Sequence, residues 1–182
     1  MWLLAFSLVA ISKKPCSIYG DNKRHEMQLA DSLKNRPQTI GTIGPGIDLI
    51  HLLSSSTDEH TFFSSSYVSI TGYISLVKHG GAETCNCHSK NKADLDTHIE
   101  LVASLSDDAK NCMICEINRF NTDTTLQYKK VLKLKGKKVE ISGWLFYDAE
   151  HKQNAMNTNP NGTFIWRATC WEIHPVCKIE LL

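Results

Sequence analysis

From Ser66 onward, hydrophobic and polar residues alternate with a period of two, the signature of half-buried strands. Val68, Ile70, Ile74 and Leu76 fall on one face of the first run, and Gly72 at its middle permits a sharp bend, so the pattern predicts one long bent strand. Thr97, Ile99 and Leu101 alternate with His98 and Glu100, and a third run covers Cys112 to Arg119. A fourth carries Val139, Ile141, Leu145 and Tyr147 around Gly143; the last runs from Phe164 to His174, followed by an apolar tail at Val176 and Ile179. Between the third and fourth runs, Leu126, Val131 and Leu134 give Thr124 to Leu134 one apolar side, which suits a short helix. Three strands, a helix and two strands is the order of a five-strand OB-type barrel. A β-sandwich without that helix is the alternative that the same strand count allows.

Upstream of Ser66 the period changes. Met27, Ala30 and Leu33 recur at helical spacing between Asn22 and Lys34, and Asn35-Arg36-Pro37 ends the pattern because proline disfavours helix at the residue before it. Thr39 to Gly46 holds three glycines and a proline and reads as a linker, while Ile47 to Leu53 predicts a further turn or two of helix. Ser54-Ser55-Ser56 and Ser64-Ser65-Ser66 bracket a polar connection. The chain therefore divides into an apolar N-terminal segment (1–20), a helical arm with linker (21–65) and a β-rich domain (66–182).

Met1 to Ile11 is apolar over the length of a signal-peptide core and too short for a membrane span, which needs roughly 20 residues. No basic residue precedes the run and Leu8-Val9-Ala10 is a poor cleavage site, so a candidate secretion signal stands beside a docked apolar segment. Localisation stays open between secreted or periplasmic and cytoplasmic. Lys14-Pro15-Cys16 lacks the small and apolar residues of a lipidation box, and Asn161-Gly162-Thr163 is a glycosylation acceptor only in a secreted eukaryotic protein.

Composition narrows the class without naming a function. Hydrophobic residues at 42% and charged residues at 21% are those of a folded globular chain. Twenty basic and nineteen acidic residues nearly cancel, which excludes a polycationic field over the whole molecule. The one local basic patch is Lys129, Lys130, Lys133, Lys135, Lys137 and Lys138; with Trp144 or Trp166 exposed nearby, it would offer the charge and stacking surface that binds single strands. A solvated helix face is the plainer account of the same lysines.

Positions i and i+2 of a strand share a face, so Asp96 and His98 project together, as do Glu172 and His174. Asp148 and His151 add a third acid and imidazole where the fourth strand gives way to its loop. If these ends converge, His98, His174, Asp96 and Glu172 form a mixed nitrogen and oxygen set suited to Zn or Mn, with His151 and Asp148 as candidate catalytic proton carriers. Otherwise each acid simply tethers its histidine. Seven cysteines leave at least one without an intramolecular disulfide partner. A zinc site from Cys85, Cys87, Cys112 and Cys115 is disfavoured, because a spacing of three puts Cys112 and Cys115 on opposite faces of a strand.

At Gly72-Tyr73-Ile74, Asp96 to Leu101, Gly143 to His151 and Trp171 to Val176, the chain resembles a group of bacterial OB-fold-like proteins, often secreted, with no firmly assigned activity. The likeness spans Ser66 to Ile179, and Trp171-Glu172-Ile173-His174-Pro175-Val176 is its most distinctive part. The resemblance implies the barrel and points to His98, Glu116, Asp148, His151, Glu172 and His174, with Glu116 as an additional acidic site candidate; it implies no reaction. The acid and arginine arrangement of a staphylococcal-nuclease-like site is not apparent. The expected function is a binding module, with single-stranded nucleic acid as the first ligand and an acidic glycan or a protein partner next. A divalent-metal-dependent hydrolase built on the acid and histidine residues is the rival.

Overall fold

A computed structural model describes residues 15–44, 46–54 and 58–182. The apolar run of residues 1–11, with its candidate signal, lies outside the described residues. Five strands close into a barrel: β1 (Tyr67–His79), β2 (Thr97–Val102), β3 (Met113–Ile117), β4 (Lys138–Tyr147) and β5 (Trp171–Leu181), in the order β1-β2-β3-β5-β4. All neighbours are antiparallel except β3 and β5, which run parallel. This is the OB-type barrel that the period of two predicts, and closure sets aside the sandwich.

β1 closes the barrel by serving both sides. Its first half pairs with β4 from Tyr67 to Tyr73, and its second half with β2 from Tyr73 to His79. Gly72 stands at that corner, where a Cβ would lie 2.8 Å from both Leu101 and Leu49 side chains. Inward-facing Val68, Ile70, Ile74, Ile99, Leu101, Met113, Cys115, Ile141, Leu145 and Ile173 fill the interior. Burying each large aliphatic side chain contributes about 1.5–3 kcal/mol, so this interior is the main source of stability.

Two details depart from the sequence pattern. A bulge between Ile74 and Leu76 shifts the phase of β1, so Val77 enters the core and Leu76 does not. β5 begins at Trp171 rather than Phe164 and continues through the supposed apolar tail to Leu181. Pro175 is tolerated inside it because pairing with β3 spans only Glu172 and Ile173, and the register with β4 is irregular between Gly143 and Leu145.

Outside the barrel lie α1 (His25–Lys34) and α2 (Leu49–Ser54), as the helical arm predicts. Leu49 and Leu52 of α2 join the barrel core. α1 docks differently from its apolar spacing: it buries Asp31 and Lys34, while Leu33 stays 36% exposed. The reason is electrostatic, since the Lys34 ammonium meets Glu83 at 2.8 Å in the loop after β1. The predicted insert before β4 is a 3-10 turn (Thr124–Leu126), the single-turn α3 (Tyr128–Val131) and a second 3-10 turn (Leu132–Leu134), with Leu126 and Val131 buried. No helix among the described residues is long and apolar enough to cross a membrane.

A disulfide joins Cys16 to Cys87, tying the start of the arm to the β1–β2 loop. Cys85, Cys112, Cys115, Cys170 and Cys177 are free and buried. The four-cysteine zinc site is overturned: Cys87 is oxidised, and Cys115 faces the barrel interior while Cys112 packs with Val102 and Ile114 on the other side of β3.

Candidate active site

Strand register brings the acids and histidines together. His98 of β2 lies directly opposite Glu116 of β3, and Ile114 pairs in parallel with Glu172 of β5. Two residues further along both parallel strands, Glu116 comes beside His174. These side chains alternate with core residues Ile99, Cys115 and Ile173, so they occupy the outer face of β2, β3 and β5.

Glu116 bridges the two imidazoles, with Oε1 2.8 Å from His98 Nδ1 and Oε2 3.4 Å from His174 Nδ1. His174 also has Glu172 Oε2 at 3.4 Å from Nδ1 and Asp96 Oδ2 at 3.3 Å from Nε2. From Glu172 the network continues through Arg167, whose Nη1 lies 2.7 Å from Glu172 Oε1 and 3.3 Å from Asp148 Oδ2. Asp148 Oδ2 then meets His151 Nδ1 at 2.5 Å, and Asp148 Oδ1 caps the following 3-10 turn by accepting from Glu150 N. The structure thus gathers His98, His174, His151, Asp96, Glu172, Asp148 and Glu116 into one chain of charges.

Burial makes that chain electrostatically demanding. Desolvation drives the His174 pKa down, yet its bonds to Asp96 and Glu172 and the Glu116 charge outweigh this and carry it up to about 10. Burial likewise opposes charging of His98, but Glu100 and Glu116 raise it to about 9. Glu116 is desolvated too, and the two imidazoles still hold it down to about 2. Burial pushes Asp96 and Glu172 above the usual carboxylate range. Asp148 sits far below that range, because the His151 bond and the Lys34 and Arg167 charges overcome its desolvation. His151 is raised, chiefly by its bond to Asp148.

A cleft of about 200 Å³ opens over this network, lined by His98, Glu116, Glu172, Asp148, His151 and Arg167 and walled by Lys34, Lys78, Glu83 and Trp166. The Trp166 ring stands 5.3 Å from His151 and 6.1 Å from His98, with Lys78 and Arg167 against it at 5.8 and 5.4 Å. Glu116 of the cleft also belongs to a buried set with Asp96 and His174, in which one ligand atom from each lies within 4.8 Å of the others, a set able to hold a metal ion. His98 and Glu172 stand beside that set, against Glu116 and His174 respectively.

The lysine patch is elsewhere. All six lysines are exposed, on the insert and the start of β4. Trp144 lies six residues along β4 from Lys138, about 20 Å away, and its indole donates to Thr39 O of the arm with Arg36 packed against it at 5.5 Å. Trp166 belongs to the cleft. Neither tryptophan is joined to the six lysines by a contact among the described residues.

The sequence pattern assigns no site role to Lys34, Glu83 or Arg167. Arg167 stands five residues before Glu172, a spacing that carries no face relation once the segment is a loop. Lys34 gives no signal, because burial of a helix lysine depends on the loop it meets. No protein-family model and no curated protein matches this chain.

Proposed function

We propose that the chain is a divalent-metal-dependent hydrolase whose metal is held by Asp96, Glu116 and His174. The observation that carries this is the approach of one nitrogen and two oxygen ligand atoms to within 4.8 Å in a buried set whose Glu116 also lines a polar cleft. Three carboxylates crowd His174 there, and a divalent cation balances them where water is largely excluded. A mixed nitrogen and oxygen set suits Zn, Mn or Fe. The bound ion would lower the pKa of a water held at its open position.

The remaining residues supply positioning and proton transfer. Arg167 fixes Asp148, and Asp148 fixes the His151 ring through Nδ1, leaving Nε2 on the far side of the imidazole. In hydrolysis the water oxygen forms the new bond and the ester oxygen leaves with its bonding pair. The leaving oxygen takes the proton of His151 Nε2, and the proton released by the water restores the imidazolium. Elemental analysis of protein purified without chelator tests this. Bound metal, or a gain in thermal stability with Zn or Mn that Asp96→Asn removes, supports it; absence of both overturns it.

A second function, binding of single-stranded nucleic acid, is supported by a groove that shares His79 with the cleft. It is about 390 Å³, includes Lys129 and Arg119, and contains Tyr128 stacked on His79 at 3.9 Å. Oligonucleotide binding there must weaken steeply with salt, because phosphate contacts release counterions.

A further inference from the structure

The cleft contains one donor without a hydrogen-bond partner, on Arg167, and a second, on His98, that a carboxylate faces only beyond hydrogen-bond distance. Arg167 is fully buried, and its Nη2 has no hydrogen-bond partner although Nη1 and Nε are both engaged. His98 is 6% exposed, and its Nε2 also lacks a hydrogen-bond partner, with Glu100 Oε1 standing 3.6 Å away. Leaving a buried polar group unpaired costs about 1–3 kcal/mol, so the unpartnered Arg167 Nη2 in the wall of a cleft marks a place for a ligand. A guanidinium can only donate, which makes that ligand an acceptor.

We propose that the cleft binds a phosphoryl group, which makes the substrate a phosphoester. This deepens the hydrolase function above by naming its substrate class, and rests on it. Arg167 and His98 supply the inner donors, and Lys78, half-exposed at the rim and 5.8 Å from the Trp166 ring, supplies a third positive group; Lys78 Nζ and His98 Nε2 both face Glu100 Oε1, at 3.4 and 3.6 Å, and a phosphoryl oxygen competes with that carboxylate for them. The four carboxylates lining the cleft do not repel the anion freely, since each is held by a cation or imidazole. Glu83 is held by Lys34, Glu116 by His98, and Asp148 and Glu172 by Arg167. A volume of about 200 Å³ lies below the roughly 300–1,000 Å³ of pockets that enclose a drug-sized molecule. Only the phosphoryl end enters, and the rest of the ester lies outside against the half-buried Trp166. An arginine and a lysine beside one oxyanion are among the parts that stabilise phosphoryl transfer, and an ion held by Asp96, Glu116 and His174 would add positive charge next to them.

The test is titration of the full chain with inorganic phosphate, read by thermal shift and phosphorus NMR, first after chelator treatment and then with Mn²⁺. Phosphate is expected to stabilise the metal-free wild type. His98→Asn keeps a nitrogen near the Nδ1 position facing Glu116 and removes Nε2, so its affinity falls about tenfold or more, the loss expected for one charge-assisted hydrogen bond. Lys78→Gln leaves the buried network alone and weakens binding by about two- to fivefold, as an exposed charge does. If His98→Asn does not fold, Lys78→Gln and Arg167→Lys carry the comparison. No phosphate binding, equal affinity in wild type and variants, or acetate competing as well as phosphate overturns the proposal. Mn²⁺ uptake is measured separately without phosphate. Phosphate binding without Mn²⁺ uptake sinks the metal site and leaves the phosphoryl site; Mn²⁺ uptake without phosphate binding does the reverse.

Discussion

Arg167 is the residue on which most of the buried charge depends. Its guanidinium is fully buried between Asp148 and Glu172, and those carboxylates hold its pKa above the usual value against desolvation. Removing one member of such a pair strands the others, so Arg167→Met is expected to lose about 3–5 kcal/mol in urea denaturation; a loss within 1 kcal/mol would contradict the network. His151 gives the pH signature. Asp148 raises its pKa above the unfolded value of about 6.5. Stability from that bond is therefore complete below about pH 6.5 and disappears as pH climbs through the folded pKa. The deficit of His151→Asn relative to wild type should be greatest near pH 6 and shrink on the alkaline side, measured by denaturation across pH; a deficit that grows with pH would refute the assignment. Among these residues Asp96 with His98 and Glu172 with His174 were legible from strand periodicity, and Asp148 with His151 from the strand end, while Glu116 was indicated only by the resemblance. Their partners in loops and helix were not legible, since Arg167, Lys34 and Glu83 meet only through tertiary contact.

At the scale of elements, periodicity predicts each strand well and each irregularity poorly. The face of β1 reads correctly as far as Ile74, and then one bulge reverses it, so Val77 replaces Leu76 in the core. The helix α1 shows a sharper failure, because its apolar spacing points to Leu33 while an ion pair with Glu83 selects the Lys34 side. Leu33→Gln should accordingly change stability by less than about 0.5 kcal/mol, as a surface substitution does, whereas Lys34→Ala should cost clearly more in the same denaturation experiment. Where β4 crosses β5, Gly143 has a role that its place in the pattern only hinted at. A Cβ there would lie 2.4 Å from Pro175 O and 2.5 Å from Ile173 Cγ2. Gly143→Ala should therefore destabilise by about 1–3 kcal/mol or more, the cost of overpacking; a neutral result in thermal denaturation would mean that the β4–β5 contact is looser than described.

For the molecule as a whole, the arm is fastened to the barrel by Leu49 and Leu52 in the core, by polar contacts and by one covalent bond. Asn35 Nδ2 donates to Ile18 O and Cys85 O, and Asn118 Nδ2 to Lys34 O and Arg36 O. Arg36 reaches Leu145 O and His174 O across β4 and β5. The Cys16–Cys87 disulfide spans 71 residues of sequence. A closed loop of that length contributes about 4 kcal/mol in the chain-entropy account. Thermal denaturation with and without dithiothreitol should show the reduced protein melting at lower temperature, and an unchanged midpoint would mean that the cross-link adds nothing to the fold.

The same bond alters the connectivity of the polypeptide. Between Cys16 and Cys87 the backbone and the sulfur bridge together form a ring, which contains α1, α2, the linker and the whole of β1. A protease that cuts once inside this ring opens it without dividing the molecule. The two pieces would travel as one band on a gel run without reductant and separate only when thiol is added. A nicked barrel therefore keeps its first strand and its helical arm within reach of the remaining four strands, and with them the Lys34 wall of the cleft.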